Sequence, residues 1–287
     1  MRHIIPISGK DSLATALIQT TRYPDLPYEF MFNDVGCELP ETYAWLDAIE
    51  QKTGWQIQRV GKNLQEIIES RNNFLPSPRA RYCTRESKIE PMKRWIGKEE
   101  ATIYYGLRAD ENRTGLVPVG DKNITVSYPL RDMGIDLQGV YAICDAQGLE
   151  PPSFKWEKIY EAVDKALYDY TNWQDKLSRT ETRILFSGRS RANCFFCFFQ
   201  RQYEFLWLFE AHPDLYVKAR DMEKEEYTFQ PNFRLSSLEE KDIRDKIFNR
   251  KVNEVTKYIK GKYQQSLFPL EIDTEIALTS CGLLCGK

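Results

Sequence analysis

The segment that most constrains the fold of this chain is a short strand, a turn of small residues and a helix start near its beginning. His3–Ile7 is a mostly apolar run, which predicts a buried strand. Ser8–Asp11 forms a turn, and Ser12–Thr20 has helical apolar spacing. The first N–H groups of a helix lack intrahelical partners and carry partial positive charge, so they attract anions. The sequence therefore predicts an anion-binding loop directly after the first strand.

The residues of this loop have the chemistry expected of a phosphate site. Lys10 supplies a mobile cation and Ser12 a hydroxyl, while the small Ser8 and Gly9 let an anion approach the backbone. Asp11 is unexpected beside an anion, and it would cap the helix or hold Mg²⁺ against a phosphate. The alternative is a simple turn with a helix cap, because so short a pattern recurs by chance. The loop is not of the GxxxxGK[ST] type.

The first half of the chain alternates between predicted strands and helices. The later strands are predicted at Tyr28–Phe32, Trp55–Val60 and Thr102–Tyr105, and the later helices at Pro40–Gly54 and Ser87–Ile96. Such alternation is typical of an α/β fold with an open, mainly parallel sheet and helices on both faces.

The second half is predicted to be mostly helical. Its helices are expected at Leu137–Ala146, Trp156–Leu177, Tyr203–Glu226 and Leu238–Tyr263. We therefore expect an α/β domain that holds the anion loop over residues 1–150. A mostly helical region with a CxxC and a cysteine-containing tail is expected over residues 151–287.

Composition argues against several classes of protein. The formal net charge of −2 does not suit sequence-independent nucleic-acid binding, which needs a strong basic excess, although a local basic patch is compatible with it. No apolar run is long enough to span a bilayer, and the N-terminus lacks a signal-peptide pattern. We expect a cytoplasmic protein with no membrane partner. Its seven cysteines are then not expected to form a disulfide framework, which leaves the question of which of them bind metal or do chemistry.

Five segments, in order, resemble the PP-loop ATP pyrophosphatases and the phosphoadenylylsulfate reductase family. The loop ISGKDS is similar to SGGKDS, with Ser8 in place of the first glycine and Ile7 in place of the leading serine. The later segments are FNDVGCELPETY (32–43), CTRESKIEPM (83–92), GLRADENR (106–113) and YPLRDM (128–133). The resemblance covers about the first 135 residues and implies an adenine nucleotide alpha-hydrolase-like fold.

The resemblance also implies a site for ATP, or a close adenine nucleotide, with Mg²⁺. Its catalytic residues would be Lys10, Asp11 and Ser12. Gly9, Asp34 and Gly106 follow predicted strands, where ligands of open parallel sheets bind. Arg108 and Arg113 suit forked contacts with phosphate or sulfonate oxygens. Without the family, a solvated surface loop is the simpler interpretation of these two arginines. The nucleotide-binding residues would be Ser8, Gly9, Lys10, Asp11, Ser12, Asp34, Lys88, Gly106, Arg108 and Arg113.

The cysteines predict a metal site only through the resemblance. Cys194 and Cys197 form a CxxC among phenylalanines, a pattern equally compatible with two buried small residues. In the iron–sulfur branch of the reductases, a cysteine pair at the position of Cys83 joins a downstream CxxC on a [4Fe–4S] cluster. Tyr82 replaces the first member of that pair, so the resemblance implies three ligands, Cys83, Cys194 and Cys197, and one open iron. Zinc is the less favoured metal, and a fourth ligand is left open among Cys37, Cys281 and Cys285.

Three functions follow from these observations. The first is an ATP pyrophosphatase that activates an acceptor for sulfur incorporation, most like the component of DNA phosphorothioation systems (the DndC and SspD type). Its partners would be a cysteine desulfurase or another sulfur donor, and DNA or a DNA-modification complex. The second is a sulfonucleotide reductase, because the tail TSCGLLCGK resembles the one that carries the reductase nucleophile, here Cys281. The third is a non-catalytic nucleotide-binding subunit.

Overall fold

The computed structural model describes residues 1–112, 114–115 and 122–263, which divide into two compact units. The first unit comprises Met1–Pro152 together with Arg191–Cys194. The second comprises Ser153–Ser190 and the described chain from Phe195 onward. The anion loop lies in the first unit.

A five-stranded sheet forms the centre of the first unit. Its strand order is β3-β2-β1-β4-β5, and every neighbouring pair is parallel. The predicted open parallel sheet is confirmed, and the last strand is one that the sequence analysis missed. The strands are β1 (Arg2–Pro6), β2 (Tyr28–Phe32), β3 (Ile57–Arg59), β4 (Ala101–Tyr104) and β5 (Ile124–Ser127).

Helices cover both faces of this sheet, as predicted. Ile5 packs in one apolar cluster with Leu13 and Val140, whereas Ile4 packs in a second cluster with Met92. Because successive residues of a strand point to opposite faces, the two clusters lie on opposite sides of β1. The helices of this unit are α1 (Lys10–Arg22), α2 (Pro40–Thr53), α3 (Leu64–Ser70), α4 (Tyr82–Thr84), α5 (Glu90–Ile96), α6 (Pro129–Asp132) and α7 (Leu137–Ala146).

The predicted helix Ser87–Ile96 begins earlier and in a different form. A π-helical segment spans Arg85–Ile89, and the N–H of Glu90 bonds the carbonyl of Arg85, five residues back. Ser87 is fully buried, and its carbonyl accepts the N–H of Lys62 at 3.1 Å. The hydrogen bond from Lys62 thus engages a carbonyl within the widened turn, a distortion that is frequent at functional sites.

The second unit is mostly helical, which confirms the prediction for this part of the chain. No described helix in the protein is both long and apolar enough to cross a membrane. Short 3₁₀ turns lie at Trp173–Lys176 and Leu235–Glu239. The helices are α8 (Glu157–Ala166), α9 (Arg179–Leu185), α10 (Gln202–Ala211), α11 (Pro213–Met222) and α12 (Lys241–Tyr263).

Two predicted helices of this unit are wrong in extent. The one predicted to run to Leu177 ends at Ala166, because the chain turns back and Trp173 donates its indole N–H to Asp164 on α8 at 3.0 Å. In the sequence Trp173 therefore has a spacing that is compatible with a continuous helix, although α8 ends at Ala166. The one predicted over Tyr203–Glu226 is divided at Pro213, whose missing N–H interrupts a helix and suits the start of a new one.

One carboxylate fastens the cysteine-containing segment to α10. Glu204 is buried and accepts the backbone N–H of Ser190 at 2.5 Å and that of Arg201 at 2.8 Å. Both ends of residues 190–201 are thereby held at the start of the same helix.

Glu181 is expected to make folding sensitive to acid. It accepts the N–H of Ser178 at 2.7 Å and contacts Tyr258 and Lys262. Burial opposes its ionisation, but these partners outweigh burial and lower its pKa from 4.5 to about 2. Its contribution is therefore complete above pH 4.5 and is lost as the pH falls toward about 2.

The test is the Glu181→Gln variant, with the exposed Glu161→Gln as its control. Each pKa unit corresponds to about 1.4 kcal/mol, and solvent screening of this partly exposed group reduces the expected loss at neutral pH to about 1 kcal/mol. Urea unfolding is measured from pH 7 to pH 2. The free energies of unfolding of Glu181→Gln and of the parent should converge as the pH falls. A constant difference at every pH would contradict this assignment.

Candidate nucleotide-binding site

The anion loop lies where the order of the sheet reverses. From β1 the chain first builds β2 and β3 on one side, and then β4 and β5 on the other. The loop Ser8–Ser12 follows β1, and the segment Gly106–Glu111 follows β4. Such a switch point opens a crevice at the carboxyl ends of the strands. The two segments therefore flank the place where ligands of this architecture bind.

The hydroxyl of Ser12 shapes the loop. Its Oγ accepts the backbone N–H of Ser8 at 2.8 Å and that of Gly9 at 3.1 Å, and it donates to the carbonyl of Gly9 at 2.8 Å. The N–H of Leu13 also bonds that carbonyl, at 3.0 Å. Ser12 is thus engaged with the loop backbone, and its most direct effect is to fix the path of the chain into α1.

Asp11 lies between two cations. One carboxylate oxygen is 3.1 Å from the Lys10 ammonium, and the other accepts a hydrogen bond from the Arg108 guanidinium at 3.1 Å. Burial alone would raise the pKa of Asp11, but Lys10 and Arg108 together hold this pKa below its ordinary value. Asp11 is therefore an ionised, buried carboxylate that orients the mobile cation of the loop.

Arg108 is buried among carboxylates. Its side chain is 1% exposed and pairs with Asp11 at 3.1 Å, Asp110 at 2.8 Å and Glu111 at 3.1 Å. Burial would lower the pKa of this guanidinium, yet the three carboxylates raise it above its usual value. With Lys10 included, two cations face three carboxylates. Arg108 was predicted as a phosphate contact, and the structure places it within this ion-pair network.

The two glycines of the site have different surroundings. A Cβ on Gly106 would lie 2.5 Å from backbone atoms of Asp11 and Ser12, so the segment after β4 touches the loop. A Cβ on Gly9 would meet nothing within 4 Å among the described residues, and its backbone is extended. Gly106 is thus required by packing within the protein. The open space at Gly9 suits the close approach of a ligand.

Asp34 is held by its own loop. One of its carboxylate oxygens accepts the N–H of Gly36 at 2.9 Å and the hydroxyl of Tyr43 at 2.8 Å. Gly36 has a φ of 69°, in the region that favours glycine. A Cβ on Gly61 would overlap the Asp34 backbone, so β3 also ends against this loop. Asp34 shapes the loop after β2.

Lys88 lies on the π-helical segment, with its ammonium 3.9 Å from the carboxylate of the buried Glu38. Glu38 belongs to the same loop as Asp34. The pairing connects the segment on one face of the sheet to the loop after β2. The contact restricts the positions that the Lys88 ammonium can take.

The predicted metal ligands are divided between the two units. Cys83 is partly exposed, and Cys194 is buried in the same unit, while Cys197 belongs to the second unit. Within residues 1–112, 114–115 and 122–263, no group of three or more Cys, His, Asp or Glu side chains is arranged to hold a metal ion. Burial and Glu38 raise the pKa of the Cys37 thiol to about 12. The iron–sulfur cluster stays a prediction, and Arg113, Cys281 and Cys285 lie outside the described residues.

Sequence reasoning missed four residues of this region. Asp110 and Glu111 follow Arg108 directly, so acidic residues beside the predicted arginine could have indicated an internal partner. Glu38 had no sequence pattern to mark it. Asn33, at the end of β2, is buried, and within the described part of the chain neither polar atom of its amide has a hydrogen-bond partner.

The two glycines provide a matched pair of variants. Gly106→Ala forces the backbone of the loop to move, and overpacking of this kind costs about 1–3 kcal/mol. Gly9→Ala fits the protein, so its free energy of unfolding should stay within about 0.5 kcal/mol of the parent. Both variants should weaken nucleotide binding. The methyl group added by Gly9→Ala occupies the open space beside the loop, and the one added by Gly106→Ala displaces the loop backbone. Urea unfolding and equilibrium binding measure these effects, and equal destabilisation by both variants would contradict the assignment.

A known family model matches the part of the chain that carries the loop after β1. Residues 2–116 match the model of the phosphoadenosine phosphosulfate reductase domain. An uncharacterized protein of Methanocaldococcus jannaschii is 25% identical over 219 residues, which are 75% of this chain and 46% of that protein. This chain thus matches about half the length of that relative. The phosphoadenosine 5'-phosphosulfate reductase of Pectobacterium carotovorum is 25% identical over 195 residues, covering 61% of this chain and 73% of the relative.

A solved structure gives a weaker likeness. The phosphoadenylyl-sulfate reductase of Candida auris, in a phosphate complex, aligns with a TM-score of 0.43 and 14% identity, covering 53% of this chain and 75% of that one. The matched residues 2–116 contain β1 to β4, the loop after β1 and the described segment Gly106–Glu111. The residues that match the phosphoadenosine phosphosulfate reductase domain therefore include the described residues of the candidate site.

Proposed function

We propose that this chain is an enzyme of sulfur metabolism that binds an adenine nucleotide at Ser8–Ser12, and that its chemistry is of the sulfonucleotide reductase type. The observation that supports the proposal most is the loop at the switch point, where Lys10 and Gly9 follow the carboxyl end of β1 and a Cβ on Gly9 would meet no described atom within 4 Å. The family match and the relatives named as reductases favour this chemistry over other uses of the fold.

In the reductase reaction the loop holds the anionic part of an adenylyl sulfate. Lys10 offsets negative charge on the phosphate as the bond to the sulfate breaks. The thiolate of Cys281 attacks the sulfur, the S–O bond to the phosphate breaks, and the nucleotide leaves with the electron pair. An external dithiol of the thioredoxin class then reduces the cysteine S-sulfonate, which releases sulfite and yields a disulfide.

A second candidate is an ATP pyrophosphatase that activates an acceptor for sulfur. The intact Lys10-Asp11-Ser12 sequence favours it, because a lysine held beside a carboxylate suits a triphosphate that arrives with Mg²⁺. Mg²⁺ is commonly held by one or two carboxylates together with substrate phosphates, and it would supply further positive charge there. Sulfur transfer to DNA, with a desulfurase as donor, belongs to this second candidate.

The experiment compares two substrates in parallel. One reaction contains phosphoadenylyl sulfate and a reduced dithiol protein, and the other contains ATP and Mg²⁺. Sulfite from the first reaction supports the reductase proposal, whereas AMP and pyrophosphate from the second support the pyrophosphatase. Binding of either nucleotide without turnover would favour a non-catalytic binding subunit. ADP and phosphate as the main products would contradict both enzymatic proposals.

A further inference from the structure

We infer that Arg108 is a positioning residue that acts on the nucleotide through Asp11, and that it does not contact the nucleotide itself. The inference deepens the proposed function, since it rests on the same loop. It also reassigns a side chain that the sequence pattern marks as an anion contact.

Carboxylates surround the guanidinium of Arg108. Its Nε lies 2.8 Å from Asp110, its Nη1 3.1 Å from both Asp11 and Glu111, and its Nη2 3.3 Å from Asp110. Each of the three nitrogens is thus already engaged with a carboxylate oxygen. The side chain is 1% exposed. An anion that approached it would meet three carboxylates, and like charges at this distance repel.

Asp11 lies between Arg108 and Lys10. Arg108 bonds its Oδ1 and Lys10 lies beside its Oδ2, so the carboxylate connects a buried cation to a loop cation. Nη1 meets Asp11, while Nε and Nη2 hold Asp110 in a fork that fixes the direction of the guanidinium. Arg108 holds Asp11 in place beside Lys10 while the Lys10 ammonium also meets the anion. Arg108 therefore sets the position of Lys10 indirectly, through Asp11.

The segment that carries Arg108 is itself fixed at several points. The N–H of Ala109 bonds the carbonyl of Ile135 at 2.9 Å, and the N–H of Leu107 bonds that of Tyr105 at 2.9 Å. Gly106 is in contact distance of the Asp11 backbone. The backbone after β4 is thus built against the loop after β1, which is the arrangement a positioning residue needs.

A double-mutant cycle tests the inference. The variants are Arg108→Lys, Asp11→Asn and their combination, and the measurement is the dissociation constant of ATP and of phosphoadenylyl sulfate. Arg108→Lys keeps the charge but loses the fork, and we expect it to weaken binding about tenfold by displacing Asp11 and Lys10. In the Asp11→Asn background the same change should alter binding less than about twofold, because residues that act as one unit are not additive. A further loss of about tenfold in that background would show direct contact and overturn the inference.

Arg2→Lys is the matched control for stability. Arg2 forms a forked pair with Glu29, with both N–O distances 2.7 Å, at the start of β1, whereas the loop follows the end of that strand. It should lower the midpoint of thermal unfolding without changing nucleotide affinity. If Arg2→Lys weakens binding as much as Arg108→Lys does, the effect is general destabilisation and the inference fails.

The thermal midpoints of the Arg108–Asp11 cycle, measured without nucleotide, separate this inference from the proposed function. Arg108→Lys should lower the midpoint more in the parent than in Asp11→Asn. If neither nucleotide binds the parent protein, the proposed function fails while this coupling is still measurable. Additive midpoint shifts would show that the two side chains are not coupled and would overturn the inference.

Discussion

Replacing Lys10 with alanine is expected to lower the rate of nucleotide turnover by roughly 10²–10³, the usual effect of removing one preorganised group that stabilises developing charge. The side chain of Lys10 is 14% exposed, and its ammonium is held by Asp11 beside the end of β1. This position is shared by both proposed reactions, because each breaks a bond next to a phosphate. The loss should therefore appear with whichever nucleotide the parent enzyme consumes.

Lys98→Ala is the control for the loss of a lysine. Lys98 is exposed and lies in the turn between α5 and β4, at the start of the strand rather than at its end. Its variant should turn over nucleotide at the parental rate. Circular dichroism should show that Lys10→Ala keeps the parental fold, since Asp11 retains Arg108 as a partner. Equal turnover by Lys10→Ala and the parent would remove the loop from the catalytic site.

The sheet and the loop were predictable because their patterns are local. The apolar run before Ser8 has the composition of a buried strand, and the turn that follows it opens a helix. The helix at Pro40 shows its start by proline and its end by Gly54, whose φ is 72°. In each case a few adjacent residues determine the conformation, so the sequence suffices.

The partners of the site residues were not predictable, because they depend on distant contacts. Arg108 pairs with Asp11, which is 97 residues away along the chain. The β5 strand is four residues long and only partly buried, so its pattern is weak. Trp173 has the apolar spacing of a helix in the sequence, but in the structure it packs back on α8 after that helix has ended. Each of these features arises from tertiary packing, which overrides local preference.

The second large effect is expected at the tail. Cys281→Ser should abolish sulfite release in the reductase assay, because a hydroxyl is a far weaker nucleophile than a thiolate and no covalent intermediate would form. Cys285→Ser is the matched control, since it removes a thiol from the same tail and keeps the nucleophile. In a single-turnover experiment without dithiol, the parent and Cys285→Ser should each retain one sulfonate per chain by mass spectrometry, and Cys281→Ser should retain none.

This last prediction also decides between the two proposed chemistries. The pyrophosphatase reaction needs no cysteine nucleophile, since an acceptor attacks the nucleotide directly. If Cys281→Ser loses sulfite release and binds phosphoadenylyl sulfate as tightly as the parent, the tail supplies the nucleophile and the loop supplies the binding. If Cys281→Ser and Cys285→Ser both release AMP and pyrophosphate from ATP at the parental rate, and no chain carries a sulfonate, the reductase proposal is wrong and the loop after β1 serves ATP.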